Sequence, residues 1–201
     1  MPRASREQMA ENHERVLEEA RRLIREKGAD GVSVPEVMAA AGLTHGGFYK
    51  HFASKEALLA EAGAGAFAER SAVLDDLVDT DPATARARFV AQYLSTAHRD
   101  HPGEGCAGVA LAADVARRGP DDPLHDTYVA GVTRLVDTLH TLRSGEAVGA
   151  VPTMPGAGRH DPEALAELAT LVGAQVLARA TAGDPISEQF LDAARARLLR
   201  E

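Results

Sequence analysis

Residues 33–52 read Ser33-Val34-Pro35-Glu36-Val37-Met38-Ala39-Ala40-Ala41-Gly42-Leu43-Thr44-His45-Gly46-Gly47-Phe48-Tyr49-Lys50-His51-Phe52. Ser33 with Glu36 three residues later forms a capping box, in which the serine hydroxyl and the glutamate carboxylate each satisfy a free backbone N–H. Pro35 is tolerated in a first helical turn. A short helix is therefore expected here, with Val34, Val37, Met38 and Ala41 as its apolar stripe. Gly42 interrupts it, and Thr44 can cap another helix directly afterwards. Two short helices meeting through a tight glycine-containing turn have the layout of a helix-turn-helix. The first helix braces the second, and the second enters the major groove of DNA.

On that second helix Phe48 and Phe52, four apart, point inward and leave Gly46, Gly47 and Lys50 outside, flanked by His45, Tyr49 and His51. Each glycine costs about 1 kcal/mol against alanine in a helix interior and somewhat less near an end. A local rule broken in this way points to function. Glycine lets a backbone approach base edges or phosphate, while Tyr49, Lys50 and His51 supply hydrogen-bond donors. The plainer alternative is a helical hairpin loosened by glycine, with those three residues as a solvated face. The spacing alone leaves both open.

Working outward, helical signals run from end to end, and no turn-bounded run of alternating Val, Ile and Thr appears. The expected fold is all-α. Upstream, Val16, Leu17, Ala20, Leu23 and Ile24 form one helical stripe, and Gly28 sits at the C-cap. Downstream, Ser54 caps a long helix carrying Leu58, Leu59, Ala62, Ala66, Val73, Leu74 and Leu77. Asp81-Pro82 opens a helix with Phe89, Val90, Tyr93 and Leu94, closed by the 98–105 stretch. Residues 106–118 and 122–143 read as two more. The glycines and prolines of 144–160 suggest a mobile connector. Asp161-Pro162 and Asp184-Pro185 open two final helices, lined by Leu165, Leu168, Val172 and Val176 and by Phe190, Leu191, Ala194 and Leu198.

The string Gly42-Leu-Thr-His-Gly-Gly-Phe-Tyr-Lys-His-Phe-Ala-Ser-Lys-Glu-Ala-Leu-Leu59 resembles the signature of the TetR/AcrR family of bacterial transcriptional regulators. Its most specific parts are Phe48-Tyr-Lys-His-Phe and Ser54-Lys-Glu-Ala-Leu. The resemblance covers the first quarter to third of the chain. It implies an N-terminal three-helix DNA-binding head, residues 1–55, and a helical regulatory and dimerisation domain, residues 56–201. It also implies contacts to bases and phosphates by Thr44, His45, Gly46, Gly47, Tyr49, Lys50 and His51, and to phosphate by Lys55. Ser33, as an N-cap, is a further expected phosphate contact, helped by the helix dipole.

Regulators of this type dimerise through their last two helices, here about 161–182 and 187–200, although intrachain packing would explain the same stripes. A dimer reaches two half-sites about 34 Å apart on a palindromic operator. The helices between usually enclose a ligand, and Phe67, Phe89, Tyr93, Cys106 and Tyr128 are candidate lining residues for an unidentified small-molecule inducer. Several would serve equally as core. Cys106 follows Gly103-Glu-Gly105 at a helix start, where a thiol can be activated as a sensor of oxidants or electrophiles; a buried, inert thiol is the plainer reading.

His98, His101 and Cys106 lack a clear fourth ligand and read better as polar loop residues than as a zinc site, so no metal or cofactor is expected. No phosphate loop, His-Glu-x-x-His pair or nucleophile elbow supports an enzyme. Without a signal peptide or an apolar run long enough to cross a bilayer, and with one cysteine, the chain is expected to be cytoplasmic. The expected function is a ligand-responsive repressor released from its operator by a small molecule. The alternative is a helical enzyme or ligand-binding protein that does not bind DNA.

The charge at first opposes a nucleic-acid partner: 201 residues carry a formal −8, with a pI near 5.5. Residues 1–55, however, hold nine Lys or Arg against eight Asp or Glu, a net +1, so the remainder carries −9. The acidity belongs to the C-terminal part. A head this weakly basic relies on placed contacts, backbone amides and helix dipoles, not on bulk charge.

Overall fold

In the computed structural model the described residues are 6–144 and 160–200. They form nine α-helices and two short 3-10 helices, with no strand among them. The α-helices are α1 (Arg6–Lys27), α2 (Val34–Ala40), α3 (Lys55–Thr80), α4 (Pro82–Tyr93), α5 (Thr96–Asp100), α6 (Ala107–Arg118), α7 (Pro123–Ser144), α8 (Pro162–Ala180) and α9 (Ile186–Leu198). The 3-10 helices are His45–Lys50 and Pro102–Glu104. No described helix is long and apolar enough to cross a membrane. The expected connector falls on 145–159, outside the described residues.

The packing divides into two compact units. One joins Met1–Ala68 to Pro102–Ala130, and the other joins Glu69–His101 to Gly131–Glu201. In the first, α1 buries the five stripe residues expected of it, Val16, Leu17, Ala20, Leu23 and Ile24, and packs against α2 and α6. Fully burying a large aliphatic side chain contributes roughly 1.5–3 kcal/mol, so this stripe anchors α1 in the unit. Gly28 ends α1 with φ +73°, a backbone region that L side chains rarely adopt. Leu58, Leu59, Ala62 and Ala66 bury the first part of α3.

In the second unit Phe89, Val90, Tyr93 and Leu94 are buried, as are Leu135, Val136 and Leu139 of α7. Leu168, Leu171, Ala174 and Ala178 bury one face of α8, which packs along α9. Four sequence expectations need correction. Val73 is exposed, because α3 turns it away from Leu74 and Leu77. The 98–105 stretch does not simply close a helix: Ser95 caps α5 by accepting from the His98 amide at 3.1 Å, and a single 3-10 turn follows. His98 is accordingly no polar loop residue, since its ring is buried and bonds to the Tyr93 carbonyl at 2.7 Å. On α8, Leu165 and Val176 are exposed and Val172 half-buried, so the stripe read from the sequence faces outward except at Leu168.

Candidate nucleic-acid interface

Ser33 caps α2 as expected, its hydroxyl accepting from the Glu36 amide at 3.4 Å. The Glu36 carboxylate is held below its ordinary range, chiefly by its pairing with Lys27 and in part by the Ser33 amide, which is the second arm of the capping box. At the other end of α2 the Gly42 amide donates to Ala39 at 3.0 Å and Leu43 to Met38 at 2.8 Å. These two bonds form a Schellman motif, and the left-handed φ of +70° at Gly42 makes it possible.

The next segment departs from the expectation of an α-helix. His45–Lys50 is a 3-10 helix, and Thr44 stands at its N-cap without a side-chain capping bond. Two adjacent glycines and only six residues give too little propensity and length for a regular α-helix. The inward side is nevertheless as expected. Phe48 and Phe52 are buried with ring centroids 5.6 Å apart, and His13 of α1 stacks on Phe52 at 4.6 Å. His13 is itself held by Glu61 of α3, Nε2 to Oε1 at 2.9 Å. α1, α2 and α3 thus grip the segment from behind.

Its outer side is open. Ser33, Thr44, His45, Gly46, Tyr49 and Lys50 are exposed, and Gly47, His51 and Lys55 are half-buried. Tyr49 is 76% exposed, unusual for so large a ring. Neither helical glycine has positive φ. A Cβ on Gly46 would meet nothing within 4 Å, and one on Gly47 only Met38 at an ordinary 3.6 Å. The fold itself therefore does not require glycine at either position. The proton affinity of the His51 ring is lowered by burial first and then by His13 and Lys50, which favours a neutral imidazole with one donor and one acceptor. Ser54 caps α3 through the Ala57 amide at 3.1 Å and places Lys55 in its first turn.

Residues 16–62 match the family model described as bacterial regulatory proteins, tetR family. Solved structures repeat the fold over nearly the whole chain. A regulator from Chloroflexus aurantiacus is 28% identical, with a TM-score of 0.68 over 96% of this chain and 94% of that one. The N-terminal quarter of the chain thus resembles the DNA-binding part of TetR family regulators.

Another TetR family regulator, from Agrobacterium tumefaciens, superposes with a TM-score of 0.74 at 21% identity over 94% and 97% of the two chains. The reduced form of Escherichia coli NemR does so at 0.69 and 22% over 94% and 95%; at these identities the likeness is one of fold. An uncharacterized HTH-type transcriptional regulator of Bacillus subtilis, YerO, is 41% identical over 54 residues, which is 27% of this chain and 19% of that protein. The matched stretch is thus less than a fifth of that relative's length.

The candidate lining residues form two groups, one in each unit. Phe67 meets Tyr128 edge-on at 5.7 Å, and the Tyr128 hydroxyl donates to the Gly108 carbonyl at 2.9 Å. Burial, and secondarily the neighbouring Cys106, pushes the Tyr128 phenol up to about 12, so it stays a donor. Cys106 is fully buried at the N-cap of α6. Phe89 and Tyr93 meet at 5.4 Å in the other unit.

The sequence reading missed a device that holds the head. Asp114 of α6 is buried and accepts from the Ala29 amide at 2.6 Å, in the turn between α1 and α2. Arg118 of α6 donates to Asp30 of the same turn at 2.6 Å and to Asp122 at 3.0 Å. The available signal was a lone acid in the otherwise apolar run Ala107–Val115.

Proposed function

We propose that this chain is a sequence-specific DNA-binding transcriptional regulator, acting as a repressor that a small molecule releases from its operator. The observation that carries the reading is the open outer side of the string Thr44–Lys50. It is braced from behind by α2 and Phe48, and it bears two glycines that neither packing nor φ demands. Backbone at Gly46 and Gly47 can approach DNA without a Cβ intervening, while His45, Tyr49, Lys50 and His51 offer donors to bases and phosphates. Thr44 contributes a hydroxyl. Ser33 and Lys55, each in or beside the first turn of a helix, are suited to phosphate.

In this reading residues 1–55 are the DNA-binding head and 56–201 the regulatory and dimerisation region. α8 and α9 expose apolar side chains at Leu165, Val176, Leu177 and Ile186. A second copy packing there would bury these side chains and present two heads to the half-sites of a palindromic operator. Phe67, Phe89, Tyr93, Cys106 and Tyr128 are the aromatic and thiol groups offered to an inducer, which would favour a dimer with its heads at the wrong spacing.

The test is a mobility-shift titration of the full chain on the DNA upstream of its own gene, against unrelated competitor DNA. Sequence-preferring binding is expected, with Tyr49→Ala and Lys50→Ala each weakening it about tenfold or more, the size of one good base contact. Binding indifferent to sequence, or unchanged by both substitutions, would overturn the reading.

A further inference from the structure

In the second unit the C-terminal parts of α7 and α9, the start of α4 and the first turns of α8 enclose a cleft of about 590 Å³. None of the aromatic and thiol candidates named above lines it. Its charged residues are Arg86, Arg143, Glu163, Glu167, Arg197 and Arg200, four cations against two anions. At its base Glu167 is 2% exposed, and its two oxygens are treated very unequally. Oε2 accepts from Arg86 Nε at 3.2 Å, from Arg86 Nη2 at 3.0 Å and from Arg143 Nη1 at 3.0 Å. Oε1 is buried with no hydrogen-bond partner among the described residues. Buried acceptors are normally satisfied, so an orphan in the wall of a cleft marks a place for a donor.

The arginines are fixed in advance. Arg86 is tied to Glu167 and also donates to the Leu198 carbonyl at 3.0 Å, and Arg143 Nη2 lies 3.6 Å from Glu163. Guanidinium forks of this kind select oxyanions, and pre-organisation reduces the entropy lost on binding. Glu167 is already matched by two cations, so the donor it lacks is a neutral hydroxyl and not a further positive group. On α8 the cleft residues Glu163, Glu167 and Thr170 lie on a different face from Leu165, Val172 and Val176, whereas Leu177, two turns beyond Thr170, lies on the cleft's own side.

We propose that this cleft binds a small organic anion with a hydroxyl beside its acidic group: the acid meets Arg197 and Arg200 beside Arg86 and Arg143, and the hydroxyl donates to Glu167 Oε1. The assignment does not depend on the DNA reading and is tested without DNA. Isothermal titration of the full chain with L-malate and with glycerol 3-phosphate distinguishes a carboxylate from a phosphate head. Saturable binding of at least one is expected. It should weaken tenfold or more in Arg197→Ala/Arg200→Ala, a surface variant whose fold is checked by circular dichroism. Succinate, which is malate without the hydroxyl, should bind at least fivefold more weakly than malate if malate binds. If only the phosphate binds, propyl phosphate is the corresponding control against glycerol 3-phosphate. Binding of neither probe, binding unchanged by the double variant, or no preference for the hydroxyl would overturn the proposal.

Discussion

The carboxylate of Asp114 accepts the backbone amide of Ala29 at 2.6 Å, joining α6 to the turn that precedes α2 across 85 residues of chain. Its Oδ1 is paired with Arg117, and a Cβ built on Gly28 would lie 2.4 Å from Oδ2. The left-handed glycine therefore does two things: it ends α1, and it leaves room for the carboxylate that fixes the approach to Ser33.

Asp114→Ala should lower the unfolding free energy by about 2 kcal/mol, because a buried hydrogen bond to a charged acceptor is worth about 1.5–3 kcal/mol. Gly28→Ala should cost at least the about 1–2 kcal/mol of a left-handed L-residue and displace the carboxylate as well. The two share one contact, so the double variant should lose less than the sum of the singles. Urea titrations of the four proteins check this; strict additivity would show that the contact does not couple them.

Gly46→Ala and Gly47→Ala separate folding from binding. With φ already negative and little in reach of the new methyl, the thermal midpoint should hold or rise, by up to about 1 kcal/mol in stability. Operator affinity should nevertheless fall about tenfold or more, because the methyl enters the space assigned to DNA. A stable variant with full affinity would remove the glycines from the interface.

His98 gives the stability a pH dependence. Its imidazole is lowered to about 4, chiefly by burial and further by Arg70 and Arg179, against the opposing bond to the Tyr93 carbonyl. Between about pH 6.5 and 4 the unfolded chain therefore binds the extra proton, and stability rises with pH through that window. The contribution is complete above about pH 6.5 and is lost on acidification, on the order of 3 kcal/mol at the acid end. Unfolding at pH 7.5 and pH 5 should show the loss, and His98→Gln should flatten it.

Val176→Asp with Leu177→Asp places two charges on α8 at positions that are both more than 40% exposed. The helix content should be unchanged, while light scattering should report a monomer in place of a dimer. Operator binding should weaken with it. A variant that remains dimeric would move the interface elsewhere.

Length-spanning helical periodicity, the glycine and proline stops and the Ser33 and Ser54 caps were legible in the sequence, because each depends on residues within about one helical turn. So was the identity of the outward-facing string, since Phe48 and Phe52 fix which side is inside. The 3-10 form of that string was not legible, because it depends on the balance between two glycines, an idle Thr44 hydroxyl and the grip of His13 and Phe52. The orientation of the α8 stripe was also invisible: apolar spacing defines a face but not its neighbour, and only the packed helices show that Leu165 and Val176 point outward.

By itself, then, the sequence determined a helical chain with a helix-turn-helix near its start and most of its acidity elsewhere. Only the tertiary structure brought Asp114 to Ala29 and gathered Arg86, Arg143 and Glu167 around one cleft. Those partners stand 85, 81 and 24 residues apart, a separation at which no local propensity specifies a pairing and burial in a common core decides it.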